Sequence, residues 1–169
     1  KTDLLPQEDF GCHHCGKGCD SCNNMVDSAV EFISKHSGKK FAIRRKITCQ
    51  TPNVIYLAYC TKCGKQGIGS TTKWKPRLSN YKSHIKKKIK KPCKIVQHFL
   101  NVCQDNQVPH KHLRFILIDA LNNVQNLSSE AIDKLLINKE KFWIGTMQTL
   151  HFGLNSHHDW NRNIRINVP

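Results

Sequence analysis

The chain has 169 residues, which is enough for one domain or for one domain with a small appendage. Hydrophobic residues make up 38% of it, a share that excludes an intrinsically disordered chain and allows a modest core. Lysine and arginine (27) outnumber aspartate and glutamate (12), and the net charge of +15 favours a polyanionic partner such as nucleic acid. No apolar stretch approaches the roughly 20 residues needed to span a bilayer, so we expect no membrane role.

Nine cysteines are many for a chain of this length. The first ten residues have no apolar segment of the kind found in secretion signals, so we expect metal ligands rather than disulfides. Cys-x-x-Cys pairs in particular indicate zinc. Four of five cysteines should hold one structural Zn²⁺, and the spacing does not say which four. They are Cys12, Cys15, Cys19, Cys22 and Cys49.

The pattern of residues 1–46 predicts a Cys-rich, zinc-binding extension with a bridging helix and strand. Val26, Ala29, Val30 and Ile33 are spaced like one face of a helix, and Ser37-Gly38 would end it. A short basic strand would follow.

Residues 47–160 carry the signals of a compact domain. A β-branched and aromatic run over 54–59 and a second run over 66–70 predict a hairpin. Residues 74–89 predict a basic amphipathic helix with Pro76 in its first turn, where a missing N–H is tolerated.

The second half of this region predicts one more strand and one long helix. The apolar run 113–118 is typical of a strand, which we place at the centre of the sheet. Ser128 and Glu130 open a helix that extends to about Met147. The fold class is therefore α+β, with a mostly antiparallel three-stranded sheet flanked by helices.

The predicted hairpin and the helices after it carry an ordered set of polar residues and glycines. The first strand contains a tyrosine, the second carries Gly-Ile-Gly, and arginine, glutamate and asparagine follow. A further tyrosine lies one helical turn after the arginine, on the same face. The set is Tyr56, Gly67-Ile68-Gly69, Arg77, Tyr81, Glu140 and Asn155. In its order and separations, this set resembles the signature of the GIY-YIG nucleases.

The resemblance implies a catalytic role for each residue. Glu140 would hold one Mg²⁺ or Mn²⁺, and the planar fork of Arg77 would bind the scissile phosphate. Tyr56 and Tyr81 would orient or deprotonate the attacking water. Asn155 would fix the last loop against the site by hydrogen bonding.

Cys60 and Cys63 lie between the two signature motifs. In this the chain resembles the endonuclease of Penelope-like retroelements, which have cysteines inserted at that place. The resemblance implies a DNA nickase that supplies a 3′-OH primer to a linked reverse transcriptase with its template RNA. Action on such DNA implies a nuclear location.

Cys60 and Cys63 also form half of a second predicted zinc site by their spacing alone. His98 and Cys103 have suitable spacing for the other half. Three other histidines compete for the fourth place, namely His84, His110 and His112.

A lysine run continues the predicted helix that bears the arginine, and we expect it to contact the DNA backbone rather than to read bases. The predicted DNA-binding residues are Lys82, Lys86, Lys87, Lys88, Lys90, Lys91, Arg44 and Arg45. Residues 161–169 form a basic tail.

The sequence departs from the family at one signature position, where Gly67 replaces the second tyrosine. Two alternative functions follow. One is a DNA-binding module that keeps the fold and has lost cleavage, and the other is a zinc-finger module that binds RNA or protein.

Overall fold

The structure is a computed structural model that describes residues 9–161. Residues 1–8 and 162–169 lie outside the described part, and with them all but the first residue of the predicted basic tail. Within the described residues, no helix has the length and apolar character needed to cross a membrane.

A three-stranded antiparallel sheet forms the centre of the molecule. It consists of β5 (Val54–Cys60), β6 (Gln66–Thr71) and β7 (Leu113–Ala120), in the order β6-β5-β7. The predicted α+β class, hairpin and third strand are therefore confirmed. The placement of 113–118 at the centre is wrong, because β5 lies between the other two strands.

Two helices follow the hairpin. Helix α1 (Trp74–Lys87) agrees with the prediction, and Lys88 ends it in the left-handed conformation. Helix α2 covers Lys94–Asn101. The lysine run therefore does not extend α1 as predicted, since its members beyond Lys88 lie in the turn between the two helices.

The long C-terminal helix α3 (Ser129–Met147) is confirmed. The Ser128 hydroxyl accepts a hydrogen bond from the Ala131 amide, which satisfies one of the free N–H groups of the first turn. Two short helices, α4 (Thr149–Phe152) and α5 (His157–Trp160), complete the described chain.

Before the sheet, an N-terminal arm (residues 9–48) contains four short strands. They are β1 (Gly11–His13), β2 (Glu31–Ile33), β3 (Lys40–Ala42) and β4 (Lys46–Thr48), with a 3₁₀ turn at Asp20–Cys22. The helix predicted from Val26 onwards is wrong. The amide of Val26 donates to the carbonyl of Phe115 and that of Ala29 to Cys12, so distant partners replace the local bonds of a helix.

The arm packs against the outer edge of β7 and shares the core of the sheet. Met25 pairs with Phe115 through a parallel bridge, and the Leu117 amide donates to the Cys12 sulfur. The indole N–H of Trp74 donates to the Ser21 carbonyl at 3.2 Å. Because the arm covers β7, this edge strand is buried and is as apolar as a central strand.

Candidate active site and metal centres

A cavity of about 220 Å³ opens between β6, α1 and the segment that follows α4. Its wall includes all of the residues predicted to be catalytic, which are Tyr56, Arg77, Tyr81, Glu140 and Asn155. They come from β5, α1, α3 and the C-terminal loop, so only the tertiary fold brings them together.

The two tyrosines form a buried pair. Their hydroxyl oxygens are 2.9 Å apart, and Tyr56 also packs against Trp74. Burial raises the pKa of Tyr56 to about 12 and raises the pKa of Tyr81 well above its ordinary value. Both phenols therefore keep their protons at neutral pH.

The neighbouring strand leaves space for the Tyr56 ring because Gly69 has no side chain. Gly69 lies opposite Tyr56 in the hairpin register, and a Cβ there would collide with the ring and hydroxyl of Tyr56. Position 69 therefore requires glycine, because any side chain there would overlap with the Tyr56 ring.

Arg77 lies on the α1 face that carries Tyr81. Its guanidinium donates to the Ser70 carbonyl at 3.4 Å, which leaves other N–H groups of the fork for an anion. Electrostatic interaction with Tyr56 is the main reason that the pKa of Arg77 is raised, so the side chain is a permanent cation.

Glu140 is 4% exposed and accepts a hydrogen bond from the Ser70 hydroxyl. Sequence reasoning missed Ser70. Its signal was a hydroxyl residue directly after the Gly-Ile-Gly motif, in the same predicted hairpin strand.

Asn155 bonds to the free edge of β6 with its whole amide. Its Oδ1 accepts from the Ile68 amide at 2.8 Å, and its Nδ2 donates to the Ile68 carbonyl at 2.7 Å. The Thr149 hydroxyl donates to the same Oδ1 at 2.7 Å. These bonds fix the C-terminal loop to the sheet.

Gly67 faces packed side chains rather than open space. A Cβ at this position would lie 3.1 Å from both Ile95 and Leu154. These two residues therefore fill space that a tyrosine side chain would need.

The cavity wall contains further polar groups to which the sequence assigned no catalytic role. His84 lies one turn after Tyr81 on α1, and Lys94 donates to the Asn155 carbonyl at 3.0 Å. Cys93 and Asp159 complete this group.

The predicted DNA-binding residues lie on several surfaces. Lys91 lines the cavity, and Lys88 and Lys90 line an adjoining groove that shares Ile89 with it. Lys82 and Lys86 interact electrostatically with His110, and Lys87 is exposed. Arg44 and Arg45 line a different cavity, between the arm and α3.

Three cysteines of the arm and one from the segment between the arm and the hairpin form a cluster that can hold a metal ion. It comprises Cys15, Cys19, Cys22 and Cys49. The separations from the Cys19 sulfur to the other three are 3.5 Å. Cys12 is the cysteine left over, since it is buried against β7.

A second cluster brings together Cys60, Cys63, His98 and Cys103, as predicted from their spacing. The Cys63 sulfur is 3.3 Å from Nε2 of His98. The competing histidines lie elsewhere. His84 lines the cavity, and the ring of His112 is 3.1 Å from the Thr61 hydroxyl.

The separations suit metal ligands rather than disulfides. A disulfide needs about 2.05 Å between its sulfurs. A tetrahedral ion with metal–sulfur bonds of about 2.3 Å separates its ligand sulfurs by about 3.8 Å. The distances of 3.5–3.8 Å in the arm cluster lie close to the second value.

No protein-family model matches the chain, and no curated protein matches its sequence. Among solved structures, the chain is similar to the catalytic domain of the homing endonuclease I-TevI. The two share 18% sequence identity and a TM-score of 0.45, over 60% of this chain and 95% of the other.

Proposed function

We propose that the chain is a metal-dependent DNA endonuclease that cuts one strand. The observation that carries the proposal is the convergence of a tyrosine pair, an arginine and a buried carboxylate on one open cavity. Phosphodiester hydrolysis needs a positioned water, a stabiliser of developing charge and a cation at the leaving oxygen. The cavity offers a residue type for each need.

Arg77 is the proposed phosphate ligand. Its guanidinium is fixed on one side by the Ser70 carbonyl, and the opposite N–H groups can bind two phosphate oxygens at once. A pre-oriented fork stabilises the pentacovalent transition state without reorganisation at the moment of reaction.

The tyrosine pair is the proposed positioning device for the attacking water. Because Tyr56 and Tyr81 share one hydrogen bond, one hydroxyl donates to the other, and the acceptor's proton is left for a water or phosphate oxygen. Their raised pKa values mean that they act as neutral hydrogen-bonding groups below about pH 10.

Glu140 is the proposed ligand of Mg²⁺ or Mn²⁺. A hard divalent cation needs one or two carboxylates and keeps several waters, and the buried carboxylate at the wall of an open polar cavity fits that demand. A cation bound there would neutralise charge and acidify a bound water. The hydroxyl of Ser70 fixes the carboxylate.

We propose that both Cys/His clusters hold structural Zn²⁺. Thiolate-rich tetrahedral sets select zinc over hard cations, and four protein ligands leave no position for substrate. The second zinc would tie the hairpin that carries Tyr56 to α2, through Cys60 and His98.

The finer biological role rests on the resemblance to Penelope-like elements. We propose that the nick leaves a 3′-OH that a linked reverse transcriptase extends on its template RNA, in the nucleus. Support comes from the order of the catalytic residues and the cysteines of the hairpin turn. Extension of the nicked strand by an added polymerase would test the chemical part of this role.

A plasmid-nicking assay with Mg²⁺ or Mn²⁺ tests the activity. Arg77→Lys keeps the charge and loses the fork, and Glu140→Gln keeps the shape and loses the charge. We expect each to reduce the rate by roughly 100-fold or more, the usual loss for one transition-state contact. Arg114→Lys and Glu130→Gln are matched controls outside the cavity wall, and we expect wild-type rates from both.

The possible outcomes separate the candidate functions. Nicking that both site variants retain would refute the site assignment. Duplex binding without nicking under any divalent ion would instead support the DNA-binding module, which the packing of Ile95 and Leu154 around Gly67 favours.

A further inference from the structure

A second cavity, larger than the first, lies on another part of the surface. It has a volume of about 510 Å³ and is bounded by β3 and the loop after it, the end of β7, and α3. It shares no lining residue with the cavity around Tyr56. We call it the Trp143 groove, after the largest side chain in its wall. The proposed cleavage reaction makes no use of it.

The Trp143 groove is positively charged. Lys139 donates to the Asp119 carboxylate at 2.7 Å, so these two charges cancel. Lys40, which also lines the groove, pairs with Glu31 at 3.1 Å. Arg44 and Arg45 remain, and no carboxylate within residues 9–161 forms an ion pair with either. Arg45 is held in place, because its guanidinium donates to the Ala120 carbonyl at 3.0 Å. Because a carbonyl is neutral, this bond does not cancel the positive charge of Arg45.

The wall of the groove also contains aromatic rings that are fixed in orientation. The indole N–H of Trp143 donates to Asp119 at 3.1 Å, and the ring packs edge to face against Phe41, with 5.6 Å between centroids. Both rings are only half-buried. Phe142, which is 62% exposed, lies 5.2 Å from Trp143 and extends the aromatic surface outwards.

We propose that the Trp143 groove binds single-stranded nucleic acid. Unpaired bases stack on aromatic rings while nearby cations bind the backbone, and this combination is typical of single-strand sites. Arg44 and Arg45 would bind phosphates, and the Trp143 ring would take a base. A duplex keeps its bases stacked inside the helix, so it cannot place them on rings that lie within a groove.

Fluorescence of Trp143 gives a direct readout of this site. The chain has three tryptophans, of which Trp74 is 1% exposed. Trp160→Phe therefore leaves Trp143 as the one accessible indole among residues 9–161. In this background, a DNA or RNA strand of about 12 nucleotides is titrated without added Mg²⁺ or Mn²⁺, and a duplex of equal length serves as comparison. Cleavage plays no part in this measurement. A negative result would therefore count against the single-strand site and not against the proposed nuclease.

We expect the single strand to quench the fluorescence of Trp143. We also expect the groove to bind the single strand more tightly than the duplex. Arg44→Glu should weaken single-strand affinity roughly tenfold or more, since one phosphate contact is lost and a repulsive charge replaces it. Lys134→Glu makes the same change of charge at an exposed site on α3. The single-strand affinity of this variant should stay within about twofold of the value without the substitution.

Three results would overturn the proposal. One is the absence of quenching at strand concentrations that saturate binding by anisotropy. The second is an equal loss of affinity in Arg44→Glu and Lys134→Glu, which would mean attraction by net charge alone. The third is duplex quenching as strong as that of the single strand.

Discussion

Tyr56 and Gly69 face each other across the hairpin. The Tyr56 ring occupies the space that a side chain at position 69 would need. Gly69→Ala should displace the tyrosine and open its hydrogen bond to Tyr81. We expect a loss of about 1–3 kcal/mol in the free energy of unfolding, as for other overpacked cores, together with loss of nicking. Urea unfolding and the plasmid assay measure the two effects.

A second glycine provides the control for this substitution. Gly145 lies in α3, where an added Cβ meets only the Trp160 ring at 3.8 Å. Gly145→Ala should stabilise the protein by roughly 0.5–1 kcal/mol through helix propensity. Equal destabilisation by both substitutions would contradict the steric role of Gly69.

The tyrosine pair also predicts a dependence of stability on pH. The pKa of Tyr56 is near 10 in the unfolded chain and about 12 in the folded one, so the folded state holds its proton longer. Its stabilising contribution is complete below about pH 10 and is lost as pH rises towards 12, at roughly 1 kcal/mol per pH unit. Urea unfolding at several pH values in this window should show a steeper loss for wild type than for Tyr56→Phe. Parallel curves for the two proteins would count against the buried pair.

At the scale of elements, the arm and the segment that leads into the hairpin meet in one cysteine cluster. If Cys15, Cys19, Cys22 and Cys49 hold one zinc, Cys49→Ser should reduce the zinc content from two ions per chain to about one and loosen the arm. Cys12→Ser makes the same chemical change at a buried cysteine outside the cluster and should leave two ions. Elemental analysis of the purified proteins gives the ratio. A loss of zinc in Cys12→Ser alone would reverse the ligand assignment.

The elements also show what local patterns can and cannot predict. The hairpin, α1 and α3 follow from periodicity and capping, because their hydrogen bonds are local or between chain neighbours. Val26 and Ala29 have helical spacing, yet their amides bond to Phe115 and Cys12, which no local pattern can reveal. The apolar character of β7 predicted a central strand, because the arm that covers its edge was not foreseen.

The same limit applies to the candidate site. The resemblance to the GIY-YIG signature predicts Tyr56, Arg77 and Glu140 as site residues, and all three line the same cavity. Ser70 was missed because its role depends on a carboxylate that is distant in sequence. Spacing could not say which of the five N-terminal cysteines lies outside the metal cluster, because the choice depends on which way the arm faces.

For the molecule as a whole, segments outside the sheet partly cover both of its edge strands. Main-chain bonds with Asn24 and Val26 cover part of β7. On β6, the side-chain amide of Asn155 pairs with Ile68, and the main-chain amide of Leu154 donates to the Gln66 carbonyl. Unpaired strand edges promote self-association and aggregation. Asn155 therefore protects the chain from edge-to-edge pairing with a second copy. Any change that releases the C-terminal loop would expose β6 and make solubility depend on protein concentration.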